Sequence, residues 1–416
     1  MKKRLLCFIT LLTATISAVT LTNNVKAATK WNTSKSVTKE ENGIKYSAYL
    51  TEDGKESWIY QIKLSKKITK LTLPKEINQA KLTRVGFGKE LYNKGEDEDA
   101  YQNLFGDTIE PWHNCYGDLS NDDKNKQTIE TVAIPSTVNQ LEIATFSGMK
   151  KLKSVVIPEQ TASVPAYTFA KCSVLSKVTF SKNINEIDST AFVKSNQVKT
   201  FSCPKANKTF AVKKGMLTTR SGKTLVLVPN KMKKLTIPSS VKEIKANALN
   251  GSQATSIVIP KSVKKIGAKA LESKKITKVS LSSKNKTYKM ANNCIYRKSN
   301  GTLTAVLVKT KRITIPSKVK VIDDTVSVMG KIGTKNQVHI PKSVKKVVED
   351  WMFFGDSATV YFHGTKPPVI VSKFKGNEFT ALPIFNKVYV PKKAKKTYIK
   401  WAKDRDGLKW NNLHTF

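Results

Sequence analysis

A strand-and-proline phrase returns along this chain at near-constant intervals: Val-Ala-Ile-Pro135, Val-Val-Ile-Pro158, Leu-Thr-Ile-Pro238, Ile-Val-Ile-Pro260, Ile-Thr-Ile-Pro316 and Val-His-Ile-Pro341. Degenerate copies, Val-Thr-Phe-Ser181, Phe-Ser-Cys-Pro204 and Val-Ser-Leu-Ser282, fill the gaps. From Pro135 to Pro204 the step is 23 residues each time, and from Pro238 to Ser282 it is 22. A unit this small cannot bury an apolar face alone, so a fixed period in the twenties demands that copies stack into a solenoid. The functional question becomes what the repeated surface binds.

Each unit follows one template, counted from its Pro or Ser mark. After Pro238, apolar residues stand at Val241, Ile244, Ala248-Leu249, Ile257 and Ile259; after Pro260 at Val263, Ile266, Ala270-Leu271, Val279 and Leu281. Alternation just before each mark predicts a short strand, and the earlier spacing predicts a turn with a short helical or 3-10 segment opposite. Parallel strands would stack and their inward rows would form one continuous core. The expected class is an α/β repeat solenoid. A longer repeat overlies it: residues 204–238 align without gaps on 282–316, an offset of 78, each with an extra hairpin turning at Ser221-Gly222 or Asn300-Gly301.

The ends differ from the middle. Residues 28–69 hold two alternating runs, Ile44 to Leu50 and Trp58 to Leu64, around an Asp53-Gly54 turn, a hairpin suited to covering the open end. The stack is expected over 70–391, with an insertion at 88–128 that breaks the period. Residues 392–416 predict a capping helix and tail, with Ala394, Tyr398, Ile399 and Ala402 at helical spacing.

The unit Leu/Val-x-Ile-Pro-x-Ser-Val-x-x-Ile-x-x-x-Ala-Phe/Leu resembles the BspA-type leucine-rich-repeat family of bacterial surface and secreted proteins. The resemblance covers about 70–391 and is closest at 135–204 and 238–282. It implies a curved leucine-rich-repeat stack with a parallel strand face, inserted hairpins and terminal caps. It also implies adhesion or another surface interaction. The repeats themselves are scaffold and fix no ligand.

Charge is the second constraint. The chain carries 73 Lys+Arg against 31 Asp+Glu, and the excess is confined to the repeats. Residues 28–130 hold 16 bases and 17 acids, whereas 131–416 hold 53 bases and 14 acids, a net +39. The excess has register: four residues before the marks, on the outward side of the strand, stand Lys70, Lys177, Lys234, Lys278, Arg312 and Lys387. These six occupy half of the twelve such positions and predict a broken cationic stripe, with rungs about 4.8 Å apart. Lysine in place of arginine suits diffuse attraction to polyanions more than bidentate recognition. Charged strands also block sheet-to-sheet aggregation, which needs no ligand.

The N-terminus reads as a secretory signal over 1–27: a basic Lys2-Lys3-Arg4, an apolar stretch from Leu5 to Leu21, and Val25-Lys26-Ala27 as the cleavage site. With no second apolar segment of spanning length, the mature chain is expected to be secreted or held non-covalently at the cell surface. Of the remaining cysteines, Cys203 takes an inward strand position and Cys172 a turn, and Cys294 aligns with Met216, so these read as small buried hydrophobes. The four histidines, His113, His339, His363 and His414, are scattered and read as surface polar residues.

No catalytic, cofactor or metal motif stands out. The expected partners are host or bacterial surface proteins, glycans or anionic wall polymers. An enzyme or metal-binding activity would have to sit in 88–128, on Trp112, His113, Cys115 and nearby acids. Within it, residues 90–123 hold ten acids and one lysine. Asp118, Ser120 and Asp122 alternate as in a calcium loop, but Asp123 replaces the required Gly and Ile129 the required Glu. The same acidic loop could instead screen the basic body. Nucleic-acid binding is open to any basic chain, yet export and the lack of a recognition motif count against it.

Overall fold

The structure, a computed structural model, describes residues 30–86, 126–348, 358–371, 387–403 and 413–416. The signal segment, residues 88–125 of the insertion with Trp112, His113 and Cys115, and the calcium-like run at 118–123 lie outside the described residues.

The strand before each mark forms as its alternation dictates. In Lys177–Thr179 and the residue after it, Val178 and Phe180 are buried while Lys177 is exposed. These strands pair in parallel with their neighbours one repeat away, so the inward letters stack. Phe146, Phe169 and Phe192, at equivalent positions opposite the strands, lie ring on ring at 5.6 and 5.7 Å between centroids. Burying each such side chain contributes on the order of 2–3 kcal/mol.

Two features depart from expectation. The parallel face is not continuous. It divides into a sheet of Lys70–Thr72, Thr131–Ala133, Ser154–Val156, Lys177–Thr179 and Thr200–Ser202, a sheet of Lys234–Thr236, Ser256–Ile259 and Lys278–Leu281, and a sheet of Arg312–Thr314, Gln337–Ile340, Thr359–Phe362, Lys387–Val390 and Leu413–Thr415. The two breaks fall where the inserted hairpins occur, at Phe210–Leu227 and Tyr288–Leu307. The buried core is likewise three clusters.

The second departure is the opposite side, where the anticipated helical segments are two-residue strands and turns. Among the described residues the helices are two 3-10 turns, Lys126–Thr128 and Lys392–Ala394, and one α-helix, α1 (Lys395–Lys403). The cause is backbone handedness. Nine residues after the mark, Ala144, Tyr167, Asn247 and Lys269 have φ between 50° and 58°. Thirteen after it, Gly148, Lys171, Lys194 and Gly251 are also left-handed. A left-handed residue costs about 1–2 kcal/mol outside glycine and ends any helical run. The turns instead bond to the next repeat: Ala144 N–H donates to Ala166 O, Phe146 N–H to Thr168 O and Phe169 N–H to Ala191 O, at 2.8–3.0 Å.

Both hairpins are seated by a buried asparagine. Asn207 donates to Ser181 O and Ile184 O of the preceding repeat and accepts from Thr209 and Phe210 N–H. Asn285 does the same with Pro260 O, Val263 O, Thr287 N–H and Tyr288 N–H.

At the N-terminal end, β1 (Trp31–Glu41), β2 (Ile44–Thr51) and β3 (Glu56–Leu64) form an antiparallel meander. β3 then pairs in parallel with Ala80–Val85, which pairs in parallel with Gln140–Leu141. Arg84 ties the layers: its guanidinium lies 3.8 Å from the centroid of the Trp58 ring and its Nε donates to Glu142 at 2.7 Å. At the other end, Leu413–Thr415 leaves the expected tail role and adds a fifth parallel strand beside Lys387–Val390.

Candidate binding face

Along each strand before a mark, alternate residues point away from the core, so the outward face is a grid of columns that run from repeat to repeat. The pairing register puts the six predicted cations in one column position, and all six are exposed. It does not bring them side by side. The column reads Lys70, Thr131, Ser154, Lys177, Thr200 in the first sheet. It reads Lys234, Ser256, Lys278 in the second and Arg312, Gln337, Thr359, Lys387 in the third. Cations are thus separated by one or two hydroxyl or amide rungs, about 10–14 Å apart. That spacing lowers their mutual repulsion and spreads the charge along the face.

The next outward column, two residues before the mark, was not singled out by sequence reasoning. In the first two sheets it is small or β-branched: Thr72, Ala133, Val156, Thr179, Ser202, then Thr236, Val258, Ser280. Val156 is 64% exposed and, with Phe180, Pro158 and Pro204, lines a shallow groove of about 710 Å³ whose rim carries the Lys182–Glu159 ion pair. In the third sheet the column turns aromatic after Thr314. His339, Tyr361, Tyr389 and His414 stack in sequence, with centroid separations of 4.4, 4.6 and 4.9 Å. The letters were visible in Val-His-Ile-Pro341, Val-Tyr-Phe-His363 and Val-Tyr-Val-Pro391; only the register turns them into a ladder.

The histidines need correction on this point. His363 and His414 are exposed, as expected, but His339 is only 6% exposed and is the first rung of the ladder, its ring against both Tyr361 and His363. Its Nδ1 is hydrogen-bonded to His363 Nε2 at 3.0 Å. Burial, then the nearby Arg312 and His363, hold the His339 imidazole down at about 4. Burial and Arg312 lower His363 as well. The pair is neutral at pH 7.

An imidazole with a depressed native pKa binds its proton more readily in the unfolded chain, whose ordinary value is about 6.5. Stability from this site is therefore complete above about pH 6.5 and is lost as pH falls from there towards 4. The thermal midpoint is expected to drop across that window, and to drop less in His339→Phe, which keeps a ring in the ladder. Equal slopes for the two proteins would contradict this.

The cysteines sit as small apolar residues. Cys172 and Cys294 are buried and Cys203 partly so, and burial pushes the Cys294 thiol up to about 12. Among the described residues no three His, Cys, Asp or Glu side chains converge in a group able to hold a metal ion. No helix among them is long and apolar enough to cross a membrane.

A stack of short parallel strands with an exposed, charged outer grid defines a repeat scaffold of the leucine-rich type, built to present surface. The BspA-type leucine-rich-repeat region matches the chain in six copies over 124–214 and 229–360, more than half its length. The chain belongs to that family. Among solved structures it is similar to a leucine-rich cell surface protein from Faecalibacterium prausnitzii A2-165, at 12% identity, with 84% of this chain and 98% of that one covered and a TM-score of 0.36. It is also similar to the pneumococcal vaccine antigen PcpA, at 15% identity, 91% and 98% coverage and a TM-score of 0.36. A leucine-rich-repeat protein from Eubacterium ventriosum ATCC 27560 aligns at 18% identity, 86% and 79% coverage and a TM-score of 0.32. No curated protein matches the sequence.

Proposed function

We propose that this chain is an exported, non-enzymatic binding protein that attaches to anionic polymers and acidic glycans at a cell surface through its strand face. The observation that carries the reading is the column of exposed cations in repeat register, on a body with net charge +39. Summed over a long face, charges of one sign attract a polyanion without requiring any single contact to be strong. Hydroxyl rungs between the cations add hydrogen-bonding partners for sugar or phosphate oxygens. Membership of a family of leucine-rich surface proteins supports a role in interaction.

The test is binding of the purified chain to immobilised wall teichoic acid and to heparin. Exposed charges are screened over about 10 Å at 0.1 M salt and about 3 Å at 1 M. Affinity is expected to fall at least about tenfold between those two conditions. Lys234→Glu together with Lys278→Glu should weaken binding at low salt while leaving the melting midpoint almost unchanged, because both side chains are exposed. Salt-independent binding, or none at 0.1 M salt, would overturn the reading.

A further inference from the structure

The third sheet is chemically unlike the other two. Its outward face carries the ladder His339, Tyr361, Tyr389, His414 in one column. The adjacent column holds Arg312, Gln337, Thr359 and Lys387, with a cation at each end and hydrogen-bonding side chains between. On the other side of the ladder stand His363 and Phe416. The Phe416 ring is tilted 53° from Tyr361 and 59° from His363 and remains 52% exposed. Stacked rings show their edges to solvent, so the ladder offers the tyrosine rims and hydroxyls. Phe416, turned across it, offers part of a ring face.

Aromatic surface beside polar and charged groups suits a ligand that is itself apolar on one side and anionic on the other. A pyranose ring bears C–H groups on its faces, and a uronic acid adds a carboxylate at its edge. A ring-less polyanion such as polyphosphate satisfies the cations and leaves the aromatic column unused. The positions are also separable from the fold. Thr72, Thr179, Thr236 and Thr314 stand at the same outward strand position as Tyr361 and Tyr389, so the repeat does not need an aromatic there. The five strands span about 19 Å from first to last, room for a short oligosaccharide laid across them.

We propose that the outward face of the third sheet is a saccharide site for uronic-acid-containing glycans, with Tyr361, Tyr389 and Phe416 contacting the sugar rings and Arg312 and Lys387 the carboxylates. This deepens the polyanion reading and rests on it for the charge component. The rest of the strand face attracts polyanions without regard to rings; this sheet selects those that have them.

The experiment uses the full chain at pH 7.4 with three probes: a hyaluronan tetrasaccharide, the same tetrasaccharide with its carboxyl groups reduced to alcohols, and polyphosphate. Three variants are compared: Tyr361→Thr with Tyr389→Thr, Phe416→Ser, and Arg312→Gln with Lys387→Gln. Phe416, Arg312 and Lys387 are exposed, so the latter two variants read the site even if the tyrosine pair disturbs folding. The tyrosine pair and Phe416→Ser are each expected to weaken tetrasaccharide binding about tenfold, with polyphosphate binding changed less than twofold. Arg312→Gln with Lys387→Gln should weaken the native tetrasaccharide to the level of its reduced form. Native and reduced tetrasaccharides binding equally, no tetrasaccharide binding at millimolar concentration, or wild-type binding by Phe416→Ser and the tyrosine pair would overturn the proposal. Polyphosphate binding that survives such a result leaves the general charge reading standing; its loss removes both.

Discussion

Phe169→Ala is expected to destabilise the first half of the stack by about 3–5 kcal/mol. Phe169 is fully buried between Phe146 and Phe192, and all three rings are stacked nearly parallel. Truncation loses the ring's transfer free energy and opens a cavity that neither neighbour can fill. Phe146 is held by its N–H bond to Thr168 O of the next repeat, and Phe192 by Ser195 N–H and Asn230 Nδ2 donating to its carbonyl. Because solenoid repeats are stabilised chiefly by their neighbours, the loss should spread in both directions. Urea unfolding followed by amide hydrogen exchange would show it: protection should fall across Ser154–Val156, Lys177–Thr179 and Thr200–Ser202 and change little in Gln337–Ile340. Val156→Ser, at an exposed position of the same sheet, should stay within about 0.5 kcal/mol of wild type. A Phe169→Ala effect below about 1 kcal/mol would mean the aromatic spine is not a principal support.

Asn285→Ala is expected to cost on the order of 3 kcal/mol, because it leaves several buried backbone groups without partners. The side chain donates to Pro260 O and Val263 O and accepts from Thr287 and Tyr288 N–H, at 2.7–3.2 Å. All four partners are backbone groups; Pro260 O keeps the Val263 N–H, while Val263 O and the Thr287 and Tyr288 N–H groups lose the amide. The hairpin Tyr288–Ala291 and Cys294–Arg297 should lose hydrogen-exchange protection first. Asn207→Ala should do the same to Phe210–Lys213 and Met216–Thr219. If the hairpins keep wild-type protection, the asparagines are passengers in a turn that forms without them.

The inward letters of the repeat could be read directly, because a buried apolar residue and its spacing carry the same information in sequence and in space. Ile237, Ile259 and Ile315 are all in the core, and the hairpins at the 78-residue offset form where the alignment put them. The absence of helix could not be read in the same way. It depends on left-handed residues at two turn positions, and only Gly148, Asn247 and Gly251 advertise that conformation. Tyr167, Lys171, Lys194 and Lys269 adopt it without any such signal in their letters, and Lys171 and Lys269 bond there to another repeat, through Val193 O and Thr325 O. The aromatic ladder was hidden for a related reason: its members lie 22 to 28 residues apart, and no local window contains two of them. His339 was misread because a histidine in a strand looks polar until its neighbours in the stack are known. The cation column could be read from the period alone, but not its division among three sheets.

A chain assembled from near-identical phrases faces a problem of address. Any unit can dock on the wrong neighbour, displaced by one period, and bury almost the same isoleucines. The hairpins answer it. Asn207 and Asn285 take the carbonyls at the mark and three residues after it, Ser181 and Ile184 or Pro260 and Val263, positions every repeat possesses. What differs is the hairpin itself, and a slip of 22 or 23 residues would set Phe210–Leu227 or Tyr288–Leu307 where the next repeat's strand should stack. The interruptions that divide the strand face therefore act as mile-markers, converting a periodic tape into three numbered segments. In a chain with this little variation in its core letters, correct assembly depends on the places where the pattern stops.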